Sequence, residues 1–294
     1  MRYAAGEATN HRGRAMPDIR LILTDIDGTI LPYGQTRVGE RCLDAFHAAM
    51  DAGLRVGPAS GRGLRWIPPL LRDDGSCCAT ALASNGMEVY LDGCEVHKEL
   101  LPHDALRSLA DVLRGMPGCG LVCFDDVTPE LVVGSREELT RCFPSYGRSC
   151  VSVDDVPRID IVKANVFSDD TITLMHELAD RLAALIPQLD FDVPRAGWLN
   201  VLTRGWGKGP AIDVLCGRLG IGLDQVAVFG DGGNDVSMLS YVPLSFAVSG
   251  ATRDAKDAAR YLIGACEDDA VPMAIEALVR GEMPPHTASS CHLH

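Results

Sequence analysis

Asp25 and Asp27 stand one residue apart in the stretch LILTDIDGTILPYG (21–34), directly behind four residues that suit a buried strand. In extended backbone, residues two apart point to the same side. Carboxylates so placed either share a proton or share a cation. Three other pieces of the chain offer complementary groups. ASGR (59–62) gives the Ser60 hydroxyl and the Gly61 N–H, a donor for a phosphate oxygen at a helix start. GWGKG (205–209) sets Lys208 between two glycines, where an ammonium can approach an anion closely. GDGGND (230–235) supplies Asp231, a tight turn at Gly232 and Gly233, and Asn234 and Asp235 as caps of the next helix.

Carboxylate oxygens from Asp25, Asp27 and Asp231 suit Mg²⁺, which keeps several waters and takes a phosphate oxygen. Taken together, the set suits phosphoryl transfer. Asp25 would be the nucleophile, forming an aspartyl-phosphate. Asp27 would protonate the leaving alcohol and accept a proton from the attacking water. Mg²⁺ and Lys208 would offset charge on the transferring group, with Ser60, Gly61 and Lys208 binding its oxygens. Asn234 and Asp235 would orient Lys208 or the metal's waters from behind.

These groups need a scaffold that brings them together. From about residue 20 to 85 the pattern alternates: LILTD is strand-like, GERCLDAFHAAMDAG helical, LRVGPAS strand-like. GLRWIPPLLRDDG is helical only in part because of its two prolines, and ATALASNG reads as a third strand. Such spacing implies parallel strands with right-handed crossovers. The C-terminal third repeats that grammar, with DQVAVFGD and PLSFAVSG as strands. The middle differs, with the paired strand candidates GLVCFDDV/PELVVGS and LDFDVP/GWLNVLT and the strand IDIVKANVF between two helices. The expected architecture is therefore α/β, a doubly wound, Rossmann-like parallel-sheet core (19–86 and 201–281) with an inserted α+β cap (87–200). A disordered leader (1–18), within which Met16 is a second candidate start, and a flexible tail (282–294) complete the expectation. In an open parallel sheet, groups at the carboxyl ends of neighbouring strands converge on one crevice.

The 27 basic and 40 acidic residues leave a formal net charge of −13. That disfavours nucleic acid and anionic membranes as partners, and obliges a site for an anion to be locally positive or to hold a metal. No run of about 18 apolar residues suggests a membrane span. The 11 cysteines, an odd number without C-x-x-C spacing, fit free thiols in a reducing cytoplasm.

DIDGT, ASGR, Lys208-Gly209 and GDGGND, in this order, resemble the four motifs of the haloacid dehalogenase superfamily of phosphohydrolases. The insertion between the second and third is similar to the type II cap of the Cof-like subfamily, and ASNGMEVYLDG, GDGGNDVSML and DAKDAARYL agree with it. The resemblance implies a Mg²⁺-dependent phosphatase of small phosphorylated metabolites, often sugar phosphates. It also implies that the backbone carbonyl of Asp27, more than its side chain, ligates the metal. Three positions depart from the pattern: Ser60 replaces a usual Thr, Gly250 a usual Asn, and Asn200 a usual acid.

Two alternatives stay open in the sequence: a phosphosugar mutase with the same nucleophile, and a catalytically silent phosphometabolite-binding sensor. Cap residues are ambiguous as well. Trp198 and Trp206 either cover substrate or pack the domain junction. Lys163 either binds a substrate anion or faces outward, and Arg62 and Arg65 either charge the cleft or solvate a helix.

Overall fold

The computed structural model of the protein describes residues 18–288. The chain enters through β1 (Leu21–Thr24), whose four residues are all buried, as suits a central strand of a parallel sheet. Helix α1 (Glu40–Asp51) returns the chain to β2 (Arg55–Pro58), which pairs parallel with β1. The segment expected to be partly helical forms short 3₁₀ turns, one of them Pro68–Leu71. Pro68 and Pro69 have no N–H to continue a ladder.

The expected third parallel strand takes a different course. β3 (Ala81–Ala83) touches the extension of β2 through one parallel bridge, Ala59–Leu82. It pairs antiparallel with β4 (Glu88–Leu91), which pairs antiparallel with β5 (Cys94–Lys98), giving a separate three-stranded sheet. The cause lies in the turn: Ser84, Asn85 and Gly86 all adopt positive φ (51°, 59° and 86°) and fold the chain back on itself.

The inserted cap comes next in the chain as α2 (His103–Arg114), β6 (Cys119–Asp125), β7 (Thr128–Val133), α3 (Arg136–Cys142), α4 (Pro144–Ser149), β8 (Val151–Ser152), β9 (Ala164–Ser168), α5 (Ile172–Leu185), β10 (Leu189–Arg195) and β11 (Trp198–Thr203). Its sheet runs β10-β11-β9-β6-β7-β8. Both expected hairpins form, β6 with β7 and β10 with β11. Their two-residue turns place Asp126 and Gly197 at φ 52° and 76°, the left-handed region such turns require. Side chains alternate across the sheet. Leu121, Cys123, Val166 and Leu199 pack with residues of α2 and α5, whereas Val122, Phe124, Phe167 and Trp198 form a second cluster. β11 keeps pairing to Thr203, opposite Leu189, so the cap sheet extends three residues past 200.

The chain returns to the core with α6 (Lys208–Leu219), β12 (Val226–Gly230), α7 (Val236–Tyr241), β13 (Leu244–Ala247), α8 (Arg253–Ala258), β14 (Tyr261–Leu262) and α9 (Ala270–Val279). Strands β14, β13, β12, β1 and β2 are parallel in that order. A short β15 (Thr287–Ala288) adds antiparallel to β14, so this part of the segment expected to be a loose tail forms a sheet edge. Residues 1–17 of the expected leader and 289–294 of the tail lie outside the described residues. Helix α1 packs on α9 and β2, and α6 on α7. The fold is thus an α/β, doubly wound core with an inserted α+β cap. Strand register aligns the loops that follow: Thr24 is level with both Pro58 and Phe229, so the chain segments leaving β1, β2 and β12 emerge side by side.

Candidate active site

Asp25 leaves β1, Ser60 follows the extension of β2, and Asp231 leaves β12. All three line one cavity of about 570 Å³ between core and cap. Lys208, at the start of α6 and 1% exposed, extends to the same place. Its Nζ donates to Asp25 Oδ1 at 2.7 Å and to Asp235 Oδ1 at 2.6 Å. Asp235 is fully buried, and its other oxygen accepts the N–H groups of Asp231 and Gly232, both at 2.9 Å. One carboxylate thereby fixes both the lysine and the loop carrying Asp231. Asn234 donates from Nδ2 to Asn85 Oδ1 at 3.1 Å, tying that loop to the ASNG turn.

Gly28 is demanded by this packing. Its φ is +86°, and a Cβ there would lie 2.4 Å from Asp231 Oδ2; only glycine tolerates both. Thr29 Oγ1 donates to Asp231 Oδ1 at 2.8 Å, and the Tyr33 hydroxyl to Oδ2 at 3.1 Å. Ser60 is buried, and its hydroxyl oxygen accepts the Arg62 N–H at 3.2 Å. Gly61 lines the cavity beside it.

The Asp27 side chain sits differently from its neighbour's. Arg62 donates to it in a fork, Nε to Oδ2 and Nη2 to Oδ1, each at 2.8 Å. The carboxylates that gather within ligand reach are instead Asp25, Asp231 and Asp235, with one ligand atom of each inside 4.8 Å of the others. The metal-ligand role that spacing alone gave to the Asp27 carboxylate is therefore not the one its side chain holds here, because the guanidinium occupies both oxygens. Its backbone carbonyl remains as the donor that the motif resemblance implies.

Electrostatics show why a cation fits. Burial first, then the charges of Asp235 and Asp231, push the Asp25 carboxyl well above the ordinary range against the pull of Lys208. Burial and then Asp235 push Asp231 up to about 6. Burial works against charge on Lys208, yet Asp235 and Asp25 outweigh it and raise its pKa. Three buried carboxylates around one ammonium leave an excess of negative charge that a divalent cation would neutralise. The donors are hard oxygens, as Mg²⁺ prefers.

On the cap side, Phe143, Tyr146, Trp198, Asn200, Lys163 and Arg195 line the cavity. Trp198 thus belongs to the cavity wall. Trp206 belongs to the junction: its Nε1–H donates to Gly86 O at 2.9 Å, and its ring lies 4.8 Å from that of His97. Asn200 Oδ1 accepts from Asn165 Nδ2 at 2.9 Å. Asp192 stands opposite Asn200 in the hairpin, and burial, opposed by Lys208, pushes its carboxyl up to about 7. An acid is thus supplied across the strand from the position where the motif pattern expects one. Gly250 is exposed, and nothing lies within 4 Å of where its Cβ would be, so no side chain replaces the amide expected there.

Sequence reading missed the Arg62–Asp27 fork, the Thr29 and Tyr33 bonds to Asp231, and Asp192. Thr29 lies inside the first motif and Arg62 inside the second, so adjacency to a motif residue was the available signal. Asp192 had none beyond an acid in an otherwise strand-like run.

A family model described as haloacid dehalogenase-like hydrolase matches residues 22–275. A phosphoglycolate phosphatase of Pyrobaculum aerophilum is 29% identical over 264 residues, covering 89% of this chain and 96% of its own. A 5-amino-6-(5-phospho-D-ribitylamino)uracil phosphatase of Escherichia coli is 24% identical over 275 residues, covering 90% and 98%. Among solved structures, the subclass IIB sugar phosphatase BT4131 superposes with a TM-score of 0.75 at 22% identity, covering 88% of this chain and 98% of that one. SMU.1108c from Streptococcus mutans gives a TM-score of 0.80 at 20% identity, covering 89% and 99%. With the motif residues gathered in one cavity and a family match across most of its length, this chain belongs to the haloacid dehalogenase-like hydrolases, in their Cof-like branch.

Proposed function

We propose that the protein, a phosphoric monoester hydrolase, removes phosphate from a small phosphorylated metabolite, a sugar phosphate or related monoester, by way of an aspartyl-phosphate on Asp25. The observation that carries this reading is the buried triad in which Lys208 joins Asp25 to Asp235 while Asp231 closes the same pocket. The relatives' names support the substrate class: two of them act on phosphoglycolate and on a phosphoribityl compound.

Asp25 is fixed by Lys208 and lines the cavity, so its carboxylate is positioned to attack phosphorus as the bond to the leaving oxygen breaks. Asp27 delivers a proton to that oxygen, and later accepts one from the water that attacks the acyl phosphate. Water attack releases phosphate and restores the Asp25 carboxylate. Since Arg62 occupies both Asp27 oxygens, one of those bonds has to open for the transfer. The Ser60 hydroxyl, the Gly61 N–H and Lys208 bind the phosphoryl oxygens. Asp25 and Asp231, with the Asp27 carbonyl, would hold Mg²⁺, which when bound supplies neutralising charge to carboxylates and phosphoryl group alike. The cap covers the cavity and selects the leaving group. On this reading the chain through β5 and the chain after β11 form the catalytic core, since Val89 of β4 packs in the core cluster, and α2 through β11 form the cap.

A cytoplasmic setting is part of the proposal. Its support is that no helix among the described residues is long and apolar enough to cross a membrane, and that the described cysteines are free. The test of the activity is Asp25→Asn assayed with a generic aryl phosphate in Mg²⁺. Phosphate release is expected to vanish while the melting transition persists; near-normal turnover would remove Asp25 as nucleophile.

A further inference from the structure

We infer that the substrate's leaving group carries a second anionic group, a carboxylate or a further phosphate, received on the cap wall by Lys163 and Arg195. The inference rests on the phosphatase reading and adds to it the chemistry of the group that departs.

Lys163 is 8% exposed and lines the cavity. Its Nζ donates to Gly61 O at 2.7 Å and lies 5.3 Å from the Phe124 ring centroid. An ammonium has three N–H donors, and the carbonyl uses one. Arg195 stacks over Phe143 at 4.9 Å and over Trp198 at 5.8 Å, and donates from Nη2 to Cys142 O at 2.9 Å. Of the five N–H groups of a guanidinium, the rest stay available to a ligand. Among the described residues neither cation is within ion-pair distance of a carboxylate.

That separates them from the other cations of the cavity region. Lys208 is committed to Asp25 and Asp235, and Arg62 to Asp27. The phosphoryl end therefore has its own charge partners, and Lys163 and Arg195 are surplus to it. A buried cation without a counterion is costly, and its environment shows the strain. Burial, with the like charge of Arg62, lowers Lys163 to about 8, while Glu88 attracts it only from a distance. Arg195, on the same cavity wall, is exposed and is held by its ring contacts and the Cys142 carbonyl. The aromatic wall of Phe143, Tyr146 and Trp198 lowers the local polarity beside the two cations, which strengthens any charge-assisted bond formed against it. In a chain of net charge −13, two unpaired cations on one cavity wall mark where a ligand's anion completes the balance.

Two matched substrate pairs test this. The carboxylate arm compares 6-phosphogluconate with sorbitol 6-phosphate; the phosphate arm compares fructose 1,6-bisphosphate with fructose 6-phosphate. The readout is the kcat/KM ratio within each pair, for the wild type, Lys163→Met and Arg195→Met in Mg²⁺. Because the ratio is internal to each protein, partial loss of folded enzyme does not move it. The wild type should prefer the anion-bearing member of one pair by roughly tenfold or more, the worth of one hydrogen bond to a charged group. The preference should fall toward one in both variants, and the arm that shows it identifies carboxylate or phosphate. No preference in either arm, or one that survives both substitutions, overturns the inference. Hydrolysis of p-nitrophenyl phosphate reports separately on the phosphatase reading. Should that be absent, the same pairs are compared as dissociation constants on Asp25→Asn protein by calorimetry, with the same two outcomes.

Discussion

Magnesium should stabilise this protein strongly at neutral pH and weakly in mild acid. Burial, followed by the charge of Asp235, raises Asp231 from 3.8 to about 6, and Asp25 moves in the same direction. Between the unfolded and folded values the folded protein binds the extra proton. Metal-free protein is therefore more stable at low pH and loses that stability as pH rises through about 6. For Asp231 the loss amounts to roughly 3 kcal/mol. A divalent cation requires the ionised carboxylate and so competes with the proton. One unit below its pKa about nine-tenths of Asp231 is protonated, which weakens apparent affinity about tenfold. At a Mg²⁺ concentration near 100 times its neutral-pH Kd, stabilisation of about 2.7 kcal/mol should shrink to about 1.4 kcal/mol. For a chain of this size that is a thermal shift smaller by about 2 °C at about pH 5 than at about pH 7.5. Asp25 adds to the difference. Differential scanning calorimetry with and without Mg²⁺ at both pH values measures it, and Asp231→Asn should abolish the shift. An equal Mg²⁺ effect at the two pH values, or one that survives Asp231→Asn, would refute the reasoning.

Gly28→Ala should destabilise the protein by about 2–4 kcal/mol, from a left-handed residue and an overpacked contact with Asp231. Urea denaturation with an unchanged m-value is the measurement, and a loss under about 0.5 kcal/mol would show that the loop shifts freely. Asp235→Asn leaves Lys208 with Asp25 alone and turns an acceptor into a partial donor. A loss of about 3 kcal/mol in stability is expected, along with a fall in kcat larger than any rise in KM; unchanged kcat would remove Asp235 from lysine positioning.

Much of the scaffold was legible because its signals are local. The strand-like runs GLVCFDDV/PELVVGS and LDFDVP/GWLNVLT, each pair close in sequence, announced both cap hairpins, and the apolar run before Asp25 announced the central strand. The meeting of Asp25, Ser60 and Asp231 could be read from their common place behind parallel strands. What escaped depends on contacts between distant parts of the chain. The course of β3 turns on three successive positive-φ residues, two of which are not glycine. Arg62 is one of two arginines in its segment, and nothing in their spacing says that this one forks onto Asp27 while Arg65 pairs with Asp126. Lys163 sits in IDIVKANVF, where Asp160 and Asn165 leave no strict alternation to show which face it takes; the structure turns it inward to Gly61.

The central claim is that the Asp25 carboxylate takes the phosphoryl group. Acid quench during turnover of an aryl phosphate, followed by borohydride reduction and peptide mass spectrometry, tests it directly, since an acyl phosphate on aspartate is reduced to homoserine. Homoserine is expected at position 25, with Asp27, Asp231 and Asp235 unchanged. Homoserine at any of those three in place of position 25 would contradict the account.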